Sequence, residues 1–300
     1  MLETSLIATV AAVVREGSFD RAARALHVTP SAVSQRVRLL EERLGTVLVV
    51  RGQPCTPTRA GARLCRHAET VLLLEDALRR ELPALQPATP AAGPATLRIA
   101  INADSVATWF MPAMQAFTAG EAGTLLDIAI DDQDRTRDWL QRGQVLAAAS
   151  SVAKPVQGCR SRRLGVLRYC ATATPAFAAR WFEQGVTARA LAGAPALVFD
   201  RNDRLQEQWV RRQVRRDVAL SEHRLPSPAA FVEATLMGIG WGMNPLALVR
   251  DHLAAGRLVE LVPGRPLDVP LYWHSARLPL PELDRLTREV ARAAARVLSS

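Results

Sequence analysis

Val33, Val37, Leu40 and Leu44 follow one another at spacings of 4, 3 and 4, a single apolar stripe along a helix. Thr29 is placed to cap its start, with Pro30 at the first helical position, and Gly45 to end it. Two shorter helices are predicted ahead of it. Residues 5–15 read as a short amphipathic helix ending at Glu16-Gly17. Ser18 and Asp20 then open a second helix that buries Phe19, Ala22, Ala23 and Leu26, with His27-Val28 as the turn. After Gly45 the period changes. Val47–Arg51 reads as a strand, Gly52-Gln53-Pro54 as a turn, and Cys55–Thr58 as a return strand. From residue 58 to 82 no proline interrupts a helical pattern, and Leu64, Val71 and Leu78 recur every seven residues beside Leu74. Such a rod is about 37 Å long at 1.5 Å per residue, and its apolar seam needs a partner helix.

The third helix carries Ser31, Ser34, Gln35, Arg36 and Arg38 on its polar side, and its acids wait until Glu41-Glu42. Hydroxyls, an amide and guanidiniums near a helix N-terminus match the hydrogen-bonding edges of bases in the major groove of double-stranded DNA. Two helices joined by a tight turn, followed by a hairpin, make a winged helix-turn-helix. Arg51 and Arg59 flank the wing, where they can meet phosphates.

Pro83–Ala95, with prolines at 83, 87, 90 and 94, is a hinge. From Thr96 onward, strands (97–101, 125–130, 145–149, 166–172, 196–199, 239–243, 259–262, 271–274) alternate with helices at 105–118, 135–142, 175–183, 203–216, 228–237, 245–255 and 281–298. This alternation predicts an α/β fold with mainly parallel sheets. Small ligands bind such folds at the carboxyl ends of the strands. Three polar segments follow strands: Asn102-Ala103-Asp104-Ser105, Asp131-Asp132-Gln133-Asp134, and Phe199–Asp203 with Asp200. Acids after several strands suit a ligand with excess positive charge. The run at 210–218 is read as a solvated arginine-bearing face.

The formal charge is +9, but 37 of 38 basic residues are arginine and 50 residues are alanine, a bias spread over the whole chain. Its location says more: residues 1–66 hold ten arginines against five acids, a net +5 and the footprint of a nucleic-acid partner. Cysteines at 55, 65, 159 and 170 have no metal-ligand spacing, and no nucleophile elbow or phosphate loop is present. These features predict no enzyme, no metal and no cofactor. The longest early apolar run, residues 6–14, is too short to span a membrane, and nothing marks export. The expected location is the cytoplasm.

The stretch GSFDRAARALHVTPSAVSQRVRLLEERLGTVLVVR, continued by PTRAGARL, resembles the N-terminal domain of LysR-type transcriptional regulators almost position for position. The resemblance implies a DNA-binding domain over residues 1–57 and a dimerisation helix and hinge over 58–95, with Leu64, Val71, Leu74 and Leu78 on the seam. It further implies a two-lobed effector domain like periplasmic solute-binding proteins: lobe I over 96–165 and 269–300, lobe II over 166–268, with crossings near Gly165 and Pro266–Pro270. A dimer, or dimer of dimers, would bind a pseudo-palindromic operator, with RNA polymerase as a further partner. INADSVATWF, DDQDRT, APALVFDRNDRLQ, GIGWGMNP and VPLYWH resemble the ArgP/LysG branch, whose members sense basic amino acids and regulate lysine and arginine export. By that likeness Asn102, Asp104, Ser105, Trp109, Asp132, Asp200, Ser227 and Phe231 line the effector pocket. The alternatives are a chromosome-origin binding protein using the same DNA contacts, or a regulator with another small-molecule effector.

Overall fold

The computed structural model describes residues 3–82, 96–120, 123–130, 136–141 and 144–299. The predicted hinge at 83–95 lies outside the described residues. The chain divides into two compact units, one of residues 1–97, the head and its long helix, with 141–145 and 278–281, the other of the remaining residues.

In the head, α1 (Thr4–Glu16) ends at Gly17 in the left-handed region, α2 (Phe19–Ala25) follows, and α3 (Pro30–Leu44) ends at Gly45, also left-handed. Thr29 caps α3 by accepting from the Ala32 N–H at 3.2 Å. Ser18 sits at the start of α2, but its side chain makes no capping bond. Val33, Val37 and Leu40 are buried with Leu6, Val10, Val13 and Ala22 in one core, with Phe19 and Leu26 at its edge. Leu44 departs from the stripe and is 40% exposed, because the helix is already ending at Gly45 and has no core beneath it.

The wing is a two-stranded antiparallel hairpin, β1 (Val49–Val50) with β2 (Thr56–Pro57). Helix α4 (Arg59–Glu81) begins where Thr58 accepts from the Gly61 N–H at 3.1 Å. A side chain at Gly61 would run into the backbone carbonyl of Leu48, so glycine is what lets the strand and helix meet.

In the second unit, β3 (Thr96–Ile101) leads into α5 (Ala103–Ser105), a π-helical turn (Val106–Phe110) and α6 (Met111–Thr118). Then come β4 (Leu125–Ile130), α7 (Thr136–Gln141), β5 (Ala147–Ser150) and the fifteen-residue β6 (Cys159–Ala173). The second half holds α8 (Pro175–Phe182), α9 (Ala188–Gly193), β7 (Pro195–Val198), α10 (Leu205–Val214), β8 (Ser221–Arg224) and α11 (Pro228–Leu236). It closes with β9 (Trp241–Pro245), α12 (Leu246–Ala254), β10 (Val259–Glu260), β11 (Leu267–Ala276) and α13 (Pro281–Val297).

The strands join in the order β4-β3-β5-β11-β6-β9-β7-β8, with β10 also on β6. The expectation of mainly parallel sheets fails here. β3 with β5, and β7 with β8 and β9, run parallel, but β11 runs antiparallel to β5 and β6, and β6 antiparallel to β9 and β10. The physical reason is the crossing: one strand leaves the first lobe and another returns, so the two lie head to tail. The N-terminal half of β6 and the C-terminal half of β11 belong with β3–β5, and the other halves belong with β7–β9.

The register shifts by one residue at the changeover, so that Leu271 faces Gly165 while Tyr272 faces Arg163. Leu164 is therefore the extra residue of a β-bulge on β6. Gly165 has φ +138, and a Cβ there would lie 2.6 Å from the Ser299 carbonyl and 2.8 Å from Leu298 Cβ. The end of the chain closes against it through the Val166–Ser299 bridge.

Candidate functional site

Helix α3 exposes Ser31, Gln35 and Arg38, with Ser34 and Arg36 half-buried beside them. Arg38 Nε donates to Glu42 at 2.8 Å, an exposed and therefore weak pair. The Ser31 hydroxyl is 3.0 Å from that of Thr29. Arg51 lies over the Phe19 ring at 5.2 Å, and Arg59 is exposed. Recognition helix and wing are bound together by Glu41, whose carboxylate accepts from the N–H groups of Leu48 (2.7 Å) and Val49 (3.2 Å). The Cys55 N–H donates to Gly17 O at 2.8 Å, tying the wing to the α1–α2 turn as well.

Helix α4 divides along its length. Leu64, Cys65 and Ala68 belong to the head core, so Leu64 is spent within its own chain rather than on a dimer seam. Farther on, Val71 and Leu74 are half-buried, while Leu72 (41%), Leu78 (48%) and Leu82 (48%) are exposed.

Between the two lobes of the α/β domain lies a cleft enclosing about 580 Å³, part of it open to solvent. The first lobe contributes Asn102, Ala103 and Asp104. The crossing strand β6 contributes Tyr169, and the second lobe Phe199, Asp203, Leu205, Pro228, Phe231, Met243, Asn244 and Pro245. Asn102, Asp104 and Phe231 of the predicted set thus line it. The Asp104 carboxylate accepts from the Tyr169 hydroxyl at 2.7 Å, a bond across the two lobes. Asn102 is buried, and its Oδ1 has no hydrogen-bond partner.

Four predicted residues fall elsewhere. Ser105 and Trp109 are fully buried and do not line the cleft, and Ser105 Oγ and Trp109 Nε1 have no hydrogen-bond partner. Asp200 spends its Oδ1 on the N–H groups of Asn202 (2.6 Å) and Asp203 (3.1 Å), stabilising its own turn. Ser227 caps α11 and leaves the wall to Pro228 and Phe231. Asp132 and its neighbours lie outside the described residues.

Three polar residues of the cleft went unnamed for the site. Asp203 holds the Phe199 N–H (2.9 Å) and the Leu205 N–H (3.0 Å), and burial pushes its carboxyl above the usual range against those bonds. Asn244 is fully buried. Its Nδ2 donates to the hydroxyls of Thr172 (3.0 Å) and Thr235 (3.1 Å), leaving Oδ1 without a partner. Tyr169 is likewise buried inside a strand. Only an acid after a strand, as at Asp203, leaves a sequence signal; an amide or phenol inside an apolar strand does not.

Side chains around the cleft therefore offer mainly acceptors: two carboxylates and two buried amide oxygens. An unpaired buried acceptor is costly until a donor reaches it. Among the described residues no three His, Cys, Asp or Glu side chains come close enough to hold a metal ion. Burial raises the thiols of Cys159 and Cys170, the latter to about 11, which suits inert core cysteines. No helix among the described residues is long and apolar enough to cross a membrane.

A helix-turn-helix head joined to a two-lobed domain with an acceptor-lined cleft is the architecture of a DNA-binding protein with a small-ligand domain. The family models agree: residues 4–62 match the bacterial regulatory helix-turn-helix protein, lysR family, and residues 91–295 match the LysR substrate binding domain. The chain belongs to the LysR family of transcriptional regulators. It is 44% identical over 274 residues to the HTH-type transcriptional regulator ArgP of Pseudomonas aeruginosa, covering 91% of this chain and 90% of that one. It is similar over the full length of both chains to the crystal structure of ArgP from Mycobacterium tuberculosis, at 41% identity and a TM-score of 0.86. Full-length LysG from Corynebacterium glutamicum, solved with bound effector Arg, is 35% identical with a TM-score of 0.75, again over both whole chains.

Proposed function

We propose that this regulator senses a basic amino acid, arginine or lysine, in the cleft and changes transcription of amino-acid export or related genes as a result. The observation that carries the reading is the acceptor set of Asn102, Asp104, Asp203 and Asn244 at one cleft. A guanidinium has five N–H donors and an ammonium three, so either can satisfy several of these acceptors at once. The arginine bound to the related LysG supports the same chemistry. Ligand held by both lobes stabilises their closed arrangement by its differential affinity for it, and linkage carries that preference to the DNA-binding heads.

On DNA, α3 inserts Ser31, Ser34, Gln35, Arg36 and Arg38 into the major groove while Arg51 and Arg59 hold phosphates. Two chains pair through the distal half of α4, by Val71, Leu74 and Leu78, and read two half-sites of a pseudo-palindrome. The head over residues 1–57, the linker over 58–95 and the lobes beyond are the working parts. The protein acts in the cytoplasm, and RNA polymerase is the downstream partner. The regulator names of its relatives favour this reading over a chromosome-origin binding protein.

A thermal-shift panel of the twenty amino acids on the full chain tests the effector. Arginine or lysine at about 100 times its dissociation constant adds about 2.7 kcal/mol of stability, and the other amino acids leave the melting temperature in place. A panel in which neither basic amino acid shifts the melt overturns the assignment.

A further inference from the structure

Strand β6 is held on both sides only in part. β9 and β10 pair with it at Tyr169–Ala173, and Ser299 covers Val166, but from Cys159 to Leu164 its sole strand partner among the described residues is β11. That half is the outer edge of the first lobe's sheet, opposite β4. It carries Arg160, Arg162 and Arg163, all exposed, and Arg277 and Lys154, the only lysine of the chain, are exposed close by. The Arg277 N–H donates to Gly158 O at 2.9 Å, and the Ser161 hydroxyl to Ala153 O at 3.1 Å, which brings the 153–158 loop to the same edge. None of the five cations forms an ion pair among the described residues. The sequence has no Asp or Glu between Asp138 and Glu183, nor between Asp268 and Glu282, so neither strand supplies a counter-charge here.

We propose that this edge docks an acidic, extended segment of a partner protein, which adds to the sheet as a further strand beside Cys159–Leu164. Six residues at about 3.3 Å each give a docking length of about 20 Å. An open edge offers main-chain groups that only another backbone satisfies. Pairing with β11 sets Arg160 and Arg162 on the face of Ser275 and Trp273, and Arg163 on the opposite face with Tyr272. An incoming strand also turns alternate side chains to opposite faces, so its acids meet arginine on both. A DNA phosphate backbone would call for the cations on one face. The same arginines bar self-pairing between copies of this edge, which keeps it open for an acidic partner.

The test uses the full-length chain and a fluorescein-labelled acidic octapeptide of alternating Glu and Val, read by anisotropy at low salt. Three companions are measured: the Lys–Val peptide, the Glu–Val peptide N-methylated at alternate residues, and a fluorescent DNA duplex lacking any operator. Of the three peptides only the unmethylated Glu–Val form is expected to bind tightly. Its binding should weaken about tenfold or more in R160E/R162E/R163E, as three exposed charge pairs are reversed. The duplex is expected to bind through the helix-turn-helix head at low salt, equally in wild type and variant. The variant should keep the wild-type melting temperature, since all three side chains are exposed. The N-methylated peptide, which keeps the charge but cannot pair along an edge, should bind at least about tenfold more weakly. Equal binding of the methylated peptide overturns strand addition and leaves charge attraction. Unchanged peptide binding in the triple variant overturns the site. A variant that loses affinity for the duplex but not for the peptide overturns the choice of partner and marks a DNA-facing surface.

Discussion

Asp104 stands at the junction of β3 and α5, and its carboxylate already holds the Tyr169 hydroxyl. Replacing it with Asn preserves the shape and removes the charge. Asp104→Asn is therefore expected to weaken arginine binding about tenfold to a hundredfold by calorimetric titration, the range for a lost charge-assisted hydrogen bond. Operator binding without ligand should stay as it was. Wild-type affinity in this variant would remove Asp104 from the recognition set. Asp200 and Asp203 show how far the sequence can be read at this scale. Both are acids after β7, in one turn, and nothing in their spacing separates them. The difference arises only when the chain folds: Asp200 caps its own loop, while Asp203 sits at the cleft with both oxygens on backbone N–H groups. Asn244 and Tyr169 were harder still, because strand burial hid them among apolar neighbours.

The two crossing strands carry the next pair of expectations. Gly165 combines a positive φ with close neighbours in Ser299 and Leu298. Gly165→Ala should cost about 2–3 kcal/mol and lower the melting temperature by roughly 5–10 °C in calorimetry. An unaltered melt would show that the changeover tolerates a side chain. Lower down, Arg168 and Asp268 join β6 to β11 through two bonds of 2.7 and 2.8 Å, and the Arg168 guanidinium holds the Asp268 carboxyl below its ordinary 3.8. A lowered folded-state value stabilises above the unfolded one and is lost as pH falls through the folded one. Asp268→Asn should thus melt slightly lower than wild type at neutral pH, by no more than about 1 kcal/mol for so exposed a pair. That gap should close as the pH drops below about 3.8, and a gap that widened in acid would contradict the pairing. Elements built on local signals were legible beforehand: the caps at Thr29 and Gly45, the stripe of α3, the hairpin and α4. The antiparallel crossing was not, because strand direction depends on partners distant in sequence. β8, with its four exposed residues, has no apolar pattern to announce it.

At the scale of the whole molecule, the proposed pairing of two chains through the distal half of α4 gives a further expectation. A double substitution, Leu74→Asp/Leu78→Asp, should turn a dimer into a monomer by light scattering. Operator affinity should fall about a hundredfold or more as the second half-site loses its tether. A dimer that survived would place the main interface elsewhere. The larger architecture was readable as head, rod and α/β domain because each part has its own hydrophobic period. The manner in which the lobes join was not. The lobes are joined by two strands, β6 and β11, hydrogen-bonded to each other through the changeover, with one bulge between them. Such a pair behaves as a leaf spring rather than as a door on a pin. On the proposed reading, an effector that closes the lobes would do elastic work on this ribbon, and the ribbon itself would supply the force that reopens them.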